Sequence, residues 1–123
     1  MKQDILNSED IQLMVDEFYG KIRDNELLGP VFEKVIQGNW QPHLDKMYGF
    51  WETIVLDVRK YTGSPFQKHI PLDINAEHFE TWLQLFHETI DFHFDGKNAE
   101  EIKKRSTQMG IMFQYKLKHI KGT

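Results

Sequence analysis

The sequence contains no cysteine among its 123 residues. That absence excludes disulfide bonds, zinc–thiolate sites, iron–sulfur clusters and thiol catalysis. No apolar run approaches the roughly 18 residues that a membrane-spanning helix requires, and the longest basic run is only Lys103-Lys104-Arg105. With a formal net charge of −4, the chain is predicted to bind neither nucleic acid nor membrane. Because the first ten residues are polar and do not resemble a signal peptide, we expect a soluble, cytoplasmic protein.

The sequence also lacks any segment that alternates apolar and polar residues for long enough to indicate a β-strand. Apolar residues recur instead at helical spacing in about five segments, without an internal repeat or a second compositional region. The starts of these segments carry capping residues or proline, in chain order: Asn7 or Ser8, Pro30, Pro42, Asn75, and Asn98 paired with Glu101. The pattern predicts an all-α fold in a single domain that spans residues 1–123.

Aromatic residues are abundant, at 13% of the chain. Either they form an unusually aromatic core, or they surround a cofactor. The second helix is expected to direct Val31, Phe32, Val35 and Ile36 inward. Tyr19 lies on the apolar stripe of the first helix, so its hydroxyl is predicted to be buried. A buried hydroxyl without a partner costs on the order of 1–3 kcal/mol, and either a nearby carbonyl or a ligand would satisfy it.

The six histidines fall into two groups. Four have polar or charged neighbours and are predicted to face outward: His78, His87, His93 and His119. His43, near the start of the third helix, and His69, in an irregular segment broken by Pro65 and Pro71, are placed to face inward. A lone inward histidine is either a core residue bonded to a carbonyl or a cofactor ligand. No His-x-x-x-His pair supports zinc, whereas a single axial imidazole suffices for haem.

The chain resembles the truncated haemoglobins from about residue 10 to residue 117. The motifs that carry this resemblance occur in the same order and at the family's spacing: Phe18-Tyr19, Phe32, Pro42-His43-Leu44, Phe50-Trp51, Lys68-His69-Ile70-Pro71-Leu72 and Trp82-Leu83. Truncated haemoglobins fall into three groups, and double-glycine turns are typical of two of them. Because this chain lacks those turns, it is most similar to the third, group III. The resemblance implies a globin-like, truncated 2-on-2 helical sandwich around a haem b.

The resemblance also implies a role for each matching residue. His69 would be the axial ligand of the haem iron, with Tyr19, His43, Met47 and Trp82 on the distal side. Lys68 and Lys46 are candidates for contact with the haem propionates. The remaining cavity residues would be Phe32, Phe50, Ile54, Phe66, Leu72, Phe79 and Phe113. His78 is rejected as the axial ligand, because it lies four residues before Trp82 on the same helix and leaves no room for a porphyrin between them.

A five-coordinate iron with a polar distal pocket implies reversible binding of O2, NO or CO. Strong retention of the ligand favours scavenging, sensing or detoxification over bulk oxygen transport. A haem enzyme, either a nitric oxide dioxygenase with a reductase partner or a peroxidase-like protein, stays open as an alternative. A third possibility is a cofactor-free helical interaction module, in which Tyr19, His43 and Trp82 belong only to the core.

Overall fold

A computed structural model describes residues 2–56 and 76–121 of the chain, with side chains up to residue 115. Within these ranges the all-α prediction is confirmed. An isolated bridge pairs Gln3 with Phe94, and none of the helices described has the length and apolarity needed to cross a membrane. Those helices are α1 (Ser8–Asp24), α2 (Leu28–Ile36), α3 (Trp40–Val55), α4 (Ala76–His93) and α5 (Lys97–Lys121).

Helix α1 lies at the centre of the packing and contacts α2, α3 and α4, while α5 packs against α4 and α3. Its apolar stripe is buried as predicted, with Phe18 and Ile22 almost inaccessible to solvent. The prediction for α2 is wrong at one position, because the side chain of Val35 is 52% exposed. This short helix packs mainly on one side, so a fourth inward residue finds no neighbouring element to cover it.

The helix starts agree only in part with the sequence signals. Asn7 caps α1 as expected, since its side chain accepts a hydrogen bond from the backbone N–H of Asp10 at 2.9 Å. Helix α3 begins at Trp40, two residues before Pro42. This start leaves the proline within the first turn, where its missing N–H needs no intrahelical partner.

The capping pair predicted for α5 is wrong. The helix begins one residue before Asn98, at Lys97, and the Asn98 side chain donates a hydrogen bond to the carbonyl of Ile5 at 2.6 Å. The carboxylate of Asp4 accepts the backbone N–H groups of Asn98 and Ala99, each at 2.9 Å. The cap therefore comes from a residue more than ninety positions away, which local sequence does not reveal.

We expect the Asp4→Ala variant to lower the free energy of unfolding by about 1–2 kcal/mol, as loss of an N-terminal cap does in other helices. Two N–H groups at the start of α5 would lose their acceptor. Urea denaturation followed by circular dichroism measures the change. Asp95→Ala is the matched control, because the bond between Asp95 and Gln3 uses only backbone atoms. Equal destabilisation by both substitutions would contradict the cap.

His87 is also placed differently from the prediction. It is half-buried between α4 and α5, not outward-facing. Its Nε2 lies 3.3 Å from Ser106 Oγ and 3.2 Å from Thr107 Oγ1. Both hydroxyls also donate to the carbonyl of Lys103 at 2.9 Å. Burial lowers the pKa of His87 from its ordinary value of 6.5, because the charged imidazolium loses hydration.

This lowered pKa predicts that the fold loses stability in mild acid. Below pH 6.5, and above the folded-state pKa, the unfolded chain binds a proton that the folded chain does not, so the free energy of unfolding falls as pH falls. We expect urea denaturation between about pH 7.5 and about pH 5.5 to show this loss, and the His87→Gln variant to show less of it. His93→Gln is the control. An unchanged pH dependence in His87→Gln would exclude His87 as the source.

Candidate functional site

Tyr19 is surrounded by aromatic rings from α1, α2 and α3, a cluster that we call the Tyr19 pocket. The residue is 5% exposed. The centroid of its ring lies 4.9 Å from that of Phe18 and 5.0 Å from that of His43, which meets it edge-on at 87°. The rings of Phe32 and Trp40 lie 6.0 Å and 6.4 Å away. The structure thus brings together three residues that the sequence assigned to the site: Tyr19, Phe32 and His43.

The hydroxyl of Tyr19 is available as a hydrogen-bond donor. Within the part of the chain that the structure describes, it makes no hydrogen bond to another group. Burial raises the pKa of this phenol far above its ordinary value of 10.0, because the phenolate would lose its hydration. The group therefore stays protonated across the neutral pH range and offers its O–H to any ligand that reaches the pocket.

His43 lies in the first turn of α3 and faces the same pocket. Its side chain is half-buried, and its Nε2 atom is buried. Besides Tyr19, its ring contacts Phe32 and Trp40, each with a centroid distance of 6.4 Å. The imidazole therefore forms one wall of the pocket, with a ring nitrogen shielded from bulk water.

Trp82 on α4 also contacts Phe18. The centroid of its ring lies 5.0 Å from those of Phe18 and Phe86, and Phe86 stacks in turn on Trp51 at 5.2 Å. Among the described residues the indole N–H of Trp82 has no hydrogen-bond acceptor. Phe18 thus contacts the rings of two hydrogen-bond donors, the phenol of Tyr19 and the indole of Trp82.

The other residues assigned from sequence are more scattered. Met47, Phe50 and Ile54 follow one another along α3, half-buried against the core. Phe79 and Phe113 are buried, but within the described ranges they lie outside the core cluster that contains Tyr19. Lys46 is exposed on α3. Four assigned residues lie outside the described residues: Phe66, Lys68, His69 and Leu72.

The sequence analysis missed Trp40, which belongs to the pocket. Its side chain is 6% exposed, and its Nε1–H donates a hydrogen bond to Glu33 Oε2 at 2.8 Å. The guanidinium carbon of Arg23 lies 4.7 Å from the centroid of the indole, within range of a cation–π contact. One signal could have revealed it: Trp40 precedes His43 by three residues, which places both on one face of a helix.

Comparison with known proteins identifies the family. The family model for bacterial-like globins matches residues 4–114. The chain is a bacterial-like globin. This globin is 32% identical over 118 residues to a group 3 truncated haemoglobin of Campylobacter jejuni, and the match covers 93% of each chain. The crystal structure of the group III truncated haemoglobin from Campylobacter jejuni matches it with a TM-score of 0.88, 32% identity and 95% of each chain covered. The predicted resemblance and the globin-like fold are confirmed.

The globin family implies haem, and the described residues fit this group on the side formed by α1, α3 and α4. A haem protein that binds diatomic ligands needs an apolar cavity with few, well-placed donors. Tyr19 and Trp82 provide two donors that no other described group uses. Beside them, three half-buried apolar residues of α3 offer a surface that a flat macrocycle could cover: Met47, Phe50 and Ile54.

Proposed function

We propose that this globin holds haem b with His69 as the axial ligand and binds O2, NO or CO in the pocket of Tyr19 and His43. The observation that carries the proposal is the buried, protonated hydroxyl of Tyr19, which is bonded to no other described group and lies beside the His43 ring. Haem would supply the iron to which a diatomic ligand binds. The residues of the chain would orient that ligand and control how long it stays.

Tyr19 and Trp82 retain the ligand by hydrogen bonding. A donor that is already oriented in a pocket without water needs no reorganisation when a polar ligand arrives, and the low local dielectric strengthens the bond. Each such bond to a partly charged acceptor contributes about 1.5 kcal/mol, so two bonds would slow ligand escape about a hundredfold. Retention of this kind suits scavenging, sensing or detoxification better than bulk transport.

The apolar residues of the site exclude water and pack against the porphyrin. Phe32 contacts both Tyr19 and His43, so it keeps water away from the two polar groups. Lys46 and Lys68 are the candidates for contact with the propionates. Met47 is assigned to the distal side. The rest of the cavity is assigned to Phe50, Ile54, Phe66, Leu72, Phe79 and Phe113.

Titration of the purified protein with hemin tests this function. We expect a Soret band that saturates near one equivalent, and a shift of that band when CO is added to the dithionite-reduced protein. A protein that shows no Soret band with hemin present would contradict haem binding and favour a cofactor-free helical module. A haem band that does not respond to CO or O2 would contradict ligand binding at the Tyr19 pocket.

A further inference from the structure

A surface cleft of about 600 Å³ lies outside the Tyr19 pocket, between α1, α2 and the start of α3. Gly20, Arg23, Glu33 and Trp40 contribute to its walls. The glycine leaves free space on the α1 side, since a Cβ atom added there would meet nothing within 4 Å. The cleft is therefore open on the side formed by α1.

The indole of Trp40 is a wall shared by the cleft and the pocket. It lines the cleft, and its ring lies 6.4 Å from the rings of both Tyr19 and His43. Only 6% of its surface is exposed, so most of the ring is covered by its neighbours. A displacement of this one ring towards the cleft would connect the buried hydroxyl of Tyr19 with solvent.

Two charged residues hold the indole from the side of the cleft. Glu33 on α2 accepts the indole N–H at 2.8 Å, and Arg23 near the end of α1 lies over the ring at 4.7 Å. A hydrogen bond to a carboxylate is stronger than one between neutral groups. Movement of Trp40 requires loss of both contacts, so the three side chains together form a latch on α1, α2 and α3.

We propose that Trp40 is a gate for small neutral ligands between this cleft and the Tyr19–His43 pocket, held closed by Glu33 and Arg23. The inference rests on the proposed binding of ligands at the pocket. Glu33 and Arg23 touch the indole and not the ligand, so they set the rate of passage without adding a bond to the bound molecule. The latch changes the rates of entry and escape by the same factor, whereas Tyr19 stabilises the bound ligand and changes the escape rate alone.

The gate is tested by the rate at which CO recombines after flash photolysis of the haem-loaded ferrous protein. Glu33→Ala removes the acceptor of the indole N–H, and we expect the bimolecular association rate to rise about tenfold, which corresponds to loss of one charge-assisted bond from the closed state. Glu33→Gln keeps an acceptor oxygen but removes its charge, which leaves a weaker hydrogen bond to the indole. Its association rate should rise about threefold, less than in Glu33→Ala.

A third variant changes the same rate in the opposite direction. Gly20→Leu places a side chain in the empty space of the cleft, so Trp40 has less room to open, and CO association should slow about threefold. A variant that only loosened the fold would accelerate entry, so slower entry separates gating from general destabilisation. Native association rates in both Glu33→Ala and Gly20→Leu, with the Soret band intact, would overturn the gate alone. Failure of the native protein to bind hemin would overturn the proposed function and the gate together.

Discussion

Replacement of Tyr19 by phenylalanine is expected to raise the O2 dissociation rate of the haem-loaded protein at least about tenfold, because one charge-assisted hydrogen bond to the ligand is lost. The substitution retains the ring that contacts Phe18, Phe32 and His43, so the shape of the pocket is kept. Stopped-flow mixing of the oxygenated protein with dithionite and CO measures this rate. Because burial raises the pKa of the phenol, Tyr19 stays a hydrogen-bond donor across the neutral pH range.

Tyr48→Phe is the matched control for this experiment. Tyr48 is a phenol on α3, half-buried, and its hydroxyl donates to the carboxylate of Asp16 on α1. Its removal also deletes a single hydroxyl from the α1–α3 contact, but not one that faces the Tyr19 pocket. The O2 dissociation rate of Tyr48→Phe should therefore match the native rate. Rates for Tyr19→Phe within about twofold of native would remove Tyr19 from ligand retention, since loss of a bond of this kind has a larger effect.

The fold could be predicted where the partners of a residue lie near it in the sequence, and not where they lie far from it. Burial of Tyr19 follows from the spacing of apolar residues in α1, since residues three and four apart share a helix face. The cap of Asn7 on α1 is equally local. In contrast, Asp4 caps α5 across 94 and 95 residues of sequence, and His87 is half-buried against residues 19 and 20 positions away. Partners of that kind are fixed by tertiary packing alone.

For the site, the sequence predicts the position of each residue on its helix but not the contacts between helices. The position of His43 on α3 and of Tyr19 on α1 follows from helical period, but their edge-on contact at 5.0 Å depends on how the two helices cross. The sequence does not assign Trp40 to the site, because a tryptophan at a helix start is explained equally well by simple core packing. Its role depends on Glu33 and Arg23, which approach from two other helices. Charge partners from separate elements leave no periodic signal in the sequence.

Substitution of the proposed axial ligand, His69, is expected to have the second large effect. We expect the His69→Ala variant to lose its bound haem, or to bind it with a spectrum that added imidazole restores, because one protein imidazole is proposed to hold the iron. The porphyrin would supply four nitrogen ligands, so loss of the imidazole would remove the one proposed bond between the protein and the iron. Absorption spectra of the oxidised and dithionite-reduced variant, with and without imidazole, measure the result.

His78→Ala is the control for that substitution, since His78 is the histidine most easily mistaken for the ligand. It lies on α4, half-buried and four residues before Trp82, so its imidazole and the indole are neighbours on one helix face. A porphyrin does not fit between two neighbouring side chains on one helix face. An axial histidine from a different segment can instead approach the opposite side of the macrocycle. We therefore expect His78→Ala to keep the native ferrous spectrum. A native five-coordinate spectrum in His69→Ala, together with its loss in His78→Ala, would contradict the assignment. The axial ligand would then lie on α4, and Trp82 would lie outside the distal pocket.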